Sequence, residues 1–548
     1  MSCLYSIRHV SSPAAVDMRA LPTAKDAQRT VEMKLVGLGK LRGNILAASS
    51  HYEFVNVPYA VAPVGERRFL PPVQNTSWPA IVDATRLGPV CVQPGQHTLM
   101  SENCLQLNIW CPRSKATANS EMLPVLVWIH GGGLTVGSGT WYNGSALSKT
   151  QKIIVVTVNY RLGVLGFYAS AELATEIKAK YAYFSTGGMN GALDTLEALR
   201  WVKAHIGNFG GNPERITVAG ESGGSQITCF HMHSKLTASL GIAQWVLQSG
   251  SCVGPWGPDT MVHSLKYSTE ILNEAGAQGL KDLRVLRGDR FASLSSKFSE
   301  QPHKVSGVDG WFLERLPIDE SLQLRKPIRV LLGGNYLDTT CIDYSGSTQL
   351  LLDSNIGDED AKKLIEFYNT LPYIPLPSVD RRKWLFWMMI RDAGVMCPTL
   401  DLAKKLNTID SEVFLYWLWF ERGIATQHAD ELGFLFGFAD TDPLWNTFTG
   451  ISDKPGRDGT YGSTPFANDG LSHEKTESMT HYVQSKWGTF IRGDRPWKEF
   501  ESAEQTYLNL TSSPSIGYGY PAGCNIWSSY KSQGARQRDR WLKFGWLC

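Results

Sequence analysis

Six apolar runs of strand length, separated by stretches of helical periodicity, constrain this chain more than any other feature. They are Pro124–His130, Ile153–Tyr160, Arg215–Gly220, Ala243–Gly250, Ile328–Asn335 and Glu412–Phe420. Several are apolar at consecutive positions, so both faces must be covered, as in the interior of a parallel sheet. Between the second and third runs, Leu193, Leu196, Leu199, Val202 and Ile206 recur at helical spacing, which predicts a helix over Ala192–Ile206 that stops at Gly207. Strand and helix in alternation give an α/β fold. The mixed stretches 257–327 and 340–410 fit insertions over the carboxyl edge of the sheet, where open α/β sheets bind ligands.

A chain of 548 residues with 43% hydrophobic content can bury a large core. Its formal net charge of +2, from 53 basic and 51 acidic side chains, gives no global attraction for nucleic acid or an anionic membrane. No apolar run approaches the roughly 18 residues that span a bilayer. Residues 1–28 also lack the apolar segment of a secretory signal.

The chemistry enters with Gly220-Glu221-Ser222-Gly223-Gly224, between an apolar strand and a helical stretch. A serine on a sharp strand-to-helix turn presents its hydroxyl outward, provided that the flanking residues are small. Directly after the first apolar run comes His130-Gly131-Gly132-Gly133-Leu134. Consecutive glycines let backbone N–H groups converge on an oxygen, so Gly132, Gly133 and Gly223 read as donors to a developing oxyanion.

With these motifs the chain resembles the type-B carboxylesterase and cholinesterase family of α/β-hydrolases, from about residue 34 to about residue 527. Further stretches carry the resemblance: Val57-Pro58-Tyr59-Ala60, Pro63 to Phe69, Ser101-Glu102-Asn103-Cys104-Leu105, Asn159-Tyr160-Arg161-Leu162-Gly163, Asn208 to Pro213, and Gln248-Ser249-Gly250-Ser251. It implies one hydrolase domain over 34–548, with a large, mostly parallel mixed sheet, after an N-terminal segment 1–33 that is expected to be poorly ordered.

A serine hydroxyl needs a histidine base and a carboxylate that orients it, and the family order is serine, acid, histidine. His428, in Gln427-His428-Ala429-Asp430-Glu431, resembles the family's catalytic histidine segment. His231 and His233 lie on the helix after the nucleophile and read as structural. Asp338, in Gly334-Asn335-Tyr336-Leu337-Asp338-Thr339, falls at the position of the acid, although it is a shorter carboxylate than glutamate and the usual following glycine is absent. Asp343 is the alternative. Glu221 and Ser249 resemble residues that support the imidazole, and Trp256 resembles the tryptophan of the acyl pocket.

The resemblance also pairs Cys91 with Cys104 and Cys397 with Cys524. Disulfides point to a secreted or lumenal protein and the visible N-terminus to the cytoplasm; the former is the expectation. Asn75, Asn143 and Asn509 begin glycosylation sequons. No Cys-x-x-Cys or His-x-x-x-His arrangement supplies metal ligands, His231-Met232-His233 being too small a cluster, and no glycine spacing implies a cofactor. The implied activity is that of a serine esterase on small-molecule esters, with a lipase or a catalytically silent adhesion or ligand-binding member as alternatives. Residues 92–103, where cholinesterases carry a cation-binding tryptophan, contain no Phe, Tyr or Trp, which disfavours choline esters.

Overall fold

The computed structural model describes residues 29–517 and Cys524, apart from 47–50, 96–98, 114–120, 300–305, 318–327, 340–357, 372–380, 419–427, 438–472 and positions 255, 337 and 512. Asp343 lies outside the described residues, as does 1–28 of the N-terminal segment. The first strands are β1 (Thr30–Leu35), β2 (Gly39–Leu46), β3 (His51–Pro58), β4 (Val82–Asp83) and β5 (Gln106–Pro112). The boundary expected after residue 33 thus falls inside β1.

The remaining strands are β6 (Leu123–Ile129), β7 (Ile154–Val158), β8 (Gly211–Glu221), β9 (Gln244–Gln248), β10 (Arg329–Asn335), β11 (Glu412–Leu418), β12 (Tyr507–Leu510) and β13 (Ser515–Gly517). All belong to one sheet of order β1-β2-β3-β5-β7-β6-β8-β9-β10-β11-β12-β13, with β4 beside β2. From β7 to β12 every neighbouring pair is parallel, whereas β1, β2, β3, β5 and β7 pair antiparallel in turn and β13 closes antiparallel on β12. The sheet is therefore mostly parallel and mixed.

Its two faces are covered by different cores, which explains why the central runs do not alternate with polar residues. On β6, Val125, Val127 and Ile129 enter one apolar layer while Leu126 and Trp128 enter the other. Helix α1 (Asn190–His205) buries Leu193, Leu196, Leu199 and Val202 in the first layer. The late helix His473–Ile491 buries Met479, Val483, Trp487 and Phe490 in the second. Gly207 does not end the chain's coiling after α1: a 3₁₀ turn carries it through Ile206–Phe209, and Gly210 terminates it at φ +82°. The tighter turn satisfies the last carbonyls and delays the left-handed residue.

Backbone pairing continues one residue past the strand ends. Ser222 N–H donates to Gln248 O at 2.9 Å, Ser249 N–H to Gly333 O at 2.8 Å, and Tyr336 N–H to Leu418 O at 2.9 Å. These bonds align the carboxyl ends of β8, β9, β10 and β11 at one edge, which is how residues distant in sequence reach one site.

Candidate active site

The turn after β8 is set by its glycines. Ser222 has φ 53° and ψ −122°, a conformation costly for a residue with a side chain, and helix α2 (Gly223–His233) begins at the next residue. A Cβ on Gly220 would collide with the backbone of Gly224, and one on Gly224 with Ile129 O and His130 O. The helix thus folds directly over its own strand and against the end of β6, and only bare backbone allows that approach.

The loop after β6 meets the same turn. Gly132 and Gly133 have φ +104° and +58°, and a Cβ on Gly223 would lie 3.1 Å from Gly133 N and 2.9 Å from Leu134 N. Gly132, Gly133 and Gly223 are therefore gathered within a few ångströms, with backbone N–H groups of the glycine loop over the start of α2. Two side chains pin this loop. Tyr160 donates its hydroxyl to His130 O at 2.9 Å. Gln93 donates to Gly137 O at 2.9 Å and accepts from Gly137 N–H at 2.8 Å. Gln93 lies between Cys91 and Cys104, which are joined at 2.06 Å, so that covalent loop supports the glycine loop.

Asp338 and His428 follow the next two strands in sequence, β10 and β11. Asp338, fully buried after β10, has Oδ1 2.6 Å from His428 Nδ1, and its Oδ2 accepts the N–H of Asn335 at 2.9 Å. The shorter carboxylate does reach the imidazole. Thr339 occupies the position where a glycine was expected, and its hydroxyl donates to Trp387 O at 2.9 Å, anchoring the turn. On the other side of the ring, His428 Nε2 lies 3.1 Å from Glu221 Oε1, yet the direction is not that of a hydrogen bond and neither atom has a hydrogen-bond partner among the described residues. His428 thus stands beside the turn of Ser222 with Nε2 uncommitted. Catalytic bonds are often loose before substrate binds.

A third buried carboxylate was missed by sequence reasoning. Glu431, on helix α3 (Asp430–Phe436), accepts from Asn335 Nδ2, from Gln248 Nε2 at 3.1 Å and from Tyr416 OH at 3.4 Å. It ties β9, β10 and β11 together beneath His428. Only its place three residues after His428 could have signalled it, and nothing in composition distinguishes it from a surface glutamate.

Burial raises the Glu221 carboxyl chiefly by desolvation, with the carboxylates of Glu431 and Asp338 adding to the effect and His428 opposing it. Burial alone would lower His428, but the negative charges of Glu221, Asp338 and Glu431 raise it. Glu221 and His428 therefore compete for a proton: when Glu221 is neutral, much of the attraction holding a proton on the imidazole is gone.

Of the other expected residues, Ser249 sits at the end of β9 with φ 52° and a buried hydroxyl, close to Gly334 and Asp338. Trp256 packs its ring against Gly394, in the π-helical turn Asp392–Met396. His231 bridges the hydroxyls of Thr195 and Thr237, both at 2.8 Å, which is a structural role. Cys397 and Cys524 are joined at 1.99 Å, and Cys229 and Cys252 form a third bond, at 2.01 Å, that sequence reasoning did not anticipate.

The family model described as the carboxylesterase family matches residues 27–527. The chain is 28% identical to a cocaine esterase of Oryctolagus cuniculus over 88% of its length and 93% of that protein's. It is 27% identical to a cholinesterase of Mus musculus, covering 86% of this chain and 82% of the other. Among solved structures, a carboxylesterase of Geobacillus stearothermophilus superposes with a TM-score of 0.70 and 26% identity, over 93% of this chain and 99% of that one. The chain belongs to the carboxylesterase family, and it is a carboxylic ester hydrolase of the α/β-hydrolase fold.

Proposed function

We propose that the ester is cleaved through a Ser222–His428–Asp338 triad and an acyl-enzyme. His428 takes the proton of Ser222 as Oγ attacks the ester carbonyl, and Asp338 holds Nδ1–H so that Nε2 faces the serine. The N–H groups of Gly132, Gly133 and Gly223 stabilise the oxyanion. The alcohol leaves with the proton from His428, and a water activated by the same imidazole releases the acid. The observation that carries this reading is the 2.6 Å contact between Asp338 and His428, made by residues 90 positions apart and brought beside the strained turn of Ser222.

Glu221 and Ser249 support the imidazole without reacting, and Trp256 forms a wall of the acyl pocket. The substrate is a small carboxylic ester. The three disulfides among the described residues favour a secreted or lumenal protein, since such bonds persist in oxidising compartments. Among the described residues, no helix is long and apolar enough to cross a membrane.

The test is pre-steady-state hydrolysis of a chromogenic ester series of increasing acyl length. A burst of about one alcohol per chain, followed by slower turnover on dissolved short esters, supports the mechanism. Linear kinetics with no burst under any acyl length, or equal turnover in Ser222→Ala, contradicts it. Preference for long esters only above their solubility limit would make the enzyme a lipase.

A further inference from the structure

Behind the nucleophile turn, at the other end of α2, two cysteines and a histidine converge. Cys229 and His233 are four residues apart on α2, hence on one face of the helix, and Cys252 comes from the loop after β9, three residues beyond Ser249. The sulfurs of Cys229 and Cys252 and a ring nitrogen of His233 all lie within 4.8 Å of one another, and all three residues are buried. His233 is only 2% exposed, yet neither of its ring nitrogens has a hydrogen-bond partner among the described residues. A buried imidazole normally satisfies at least one of them, as His231 does two residues earlier through Thr195 and Thr237. The contrast between two histidines on one helix marks His233 as a group aimed at something absent.

We infer that Cys229, Cys252 and His233 form a binding site for a thiophilic divalent cation such as Zn²⁺, open when the disulfide is reduced and closed when it is formed. Two thiolates and an imidazole are the donor set such ions prefer, and tetrahedral Zn²⁺ places ligand atoms about 3.5 to 4 Å apart. The three ligand atoms already lie within 4.8 Å of one another, so a cation needs only that the two sulfurs move apart once their bond is cut. A phosphine reductant supplies the chemistry: phosphorus takes up the oxygen of one water and becomes the phosphine oxide, the S–S bond gains two electrons, and two thiols form with the two protons of that water. Binding of the cation releases those two protons to solvent and leaves two thiolates on the metal.

Metal and disulfide are thus alternative ways to fasten α2 to the loop carrying Ser249. Cys252 N–H already donates to Cys229 Sγ at 3.2 Å, and Ser225 donates its hydroxyl to Gly250 O at 2.7 Å, so both segments are held in place while the sulfurs exchange partners. The ligands come from two separate stretches of chain. That is why neither a Cys-x-x-Cys nor a His-x-x-x-His spacing signals them.

The test titrates the full-length protein with Co²⁺ after reduction by a water-soluble phosphine under argon and removal of the reductant. The expected result is one Co²⁺ per chain, with a thiolate-to-cobalt charge-transfer band and the visible bands of tetrahedral cobalt, all displaced by one equivalent of Zn²⁺. The unreduced protein should bind none. Cys229→Ser should abolish the band, and His233→Ala should weaken binding by well over about a hundredfold, beyond the roughly tenfold to hundredfold cost of losing a mere supporting group. No uptake by the folded, reduced protein would overturn the inference, as would a band unchanged in Cys229→Ser. If circular dichroism shows that reduction unfolds the chain, the unreduced Cys252→Ser variant replaces it, because the Cys91–Cys104 and Cys397–Cys524 disulfides stay intact. It must bind Cd²⁺ through Cys229 and His233, and lose it on adding His233→Ala; no Cd²⁺ binding would overturn the inference equally.

Discussion

The two halves of the candidate site are built by different means. Around Ser222 and the loop 130–134, the working groups are backbone, and glycines whose Cβ atoms would collide with neighbouring main chain set the geometry. Around Asp338 and His428 they are side chains, with the buried carboxylate of Glu221 beside the imidazole and that of Glu431 bonded to Asn335, whose N–H Asp338 accepts. The first half is rigid because backbone leaves it no room. The second is held by charge and hydrogen bonds, and protonation can change it. The comparison teaches where each half should fail: the first to added volume, the second to lost charge.

The largest effect should come where the halves meet. Ser222→Ala and His428→Ala are each expected to lower kcat by about a millionfold, and the double variant no further, because the two act as a unit. Additive losses in steady-state kinetics would separate the halves. Asp338→Asn keeps the volume but removes the charge, and roughly a ten-thousandfold loss in kcat is expected with thermal stability little changed. An unaltered kcat would move the acid elsewhere.

Gly132→Ala attacks the first half alone. With φ +104° and a Cβ directed into the backbone of Val136, the substitution must displace the loop, and roughly a hundredfold to thousandfold loss in kcat is expected, with KM for short esters much less affected. A pure KM effect would mean that the loop only binds substrate.

The smallest expected effect sharpens the second half. Glu221→Gln removes a negative charge that raises His428, so the base frees itself of its proton at lower pH. The acidic limb of kcat/KM should therefore move downward, by about one pH unit. An upward shift or an unmoved limb would show that Glu221 carries no charge that His428 senses.

The same division explains what the sequence made legible. The central strands, the turn at 220–224 and the loop at 130–134 could be read locally, because glycine and apolar runs report backbone geometry directly. His428 and Asp338 came only through resemblance, and whether an aspartate could span the gap was visible only once Ser249 N–H and Tyr336 N–H were seen aligning the strand ends. Glu431, Gln93 and the Cys229–Cys252 bond escaped altogether. Each works by contact with residues far along the chain, and a glutamate, a glutamine or a cysteine carries no local sign of such a partner. Gly207 does follow the end of the α-helix as expected, and what the local signal did not show is the short 3₁₀ turn that closes at Gly210.

The most direct measurement is the rate and site of labelling by a fluorophosphonate, which needs no knowledge of the natural ester. Peptide mapping should find one adduct per chain, on Ser222, formed at least about a thousandfold more slowly in Asp338→Asn. An adduct on another residue, or labelling of Ser222 at the same rate without the Asp338 charge, would contradict a nucleophile activated across the two halves.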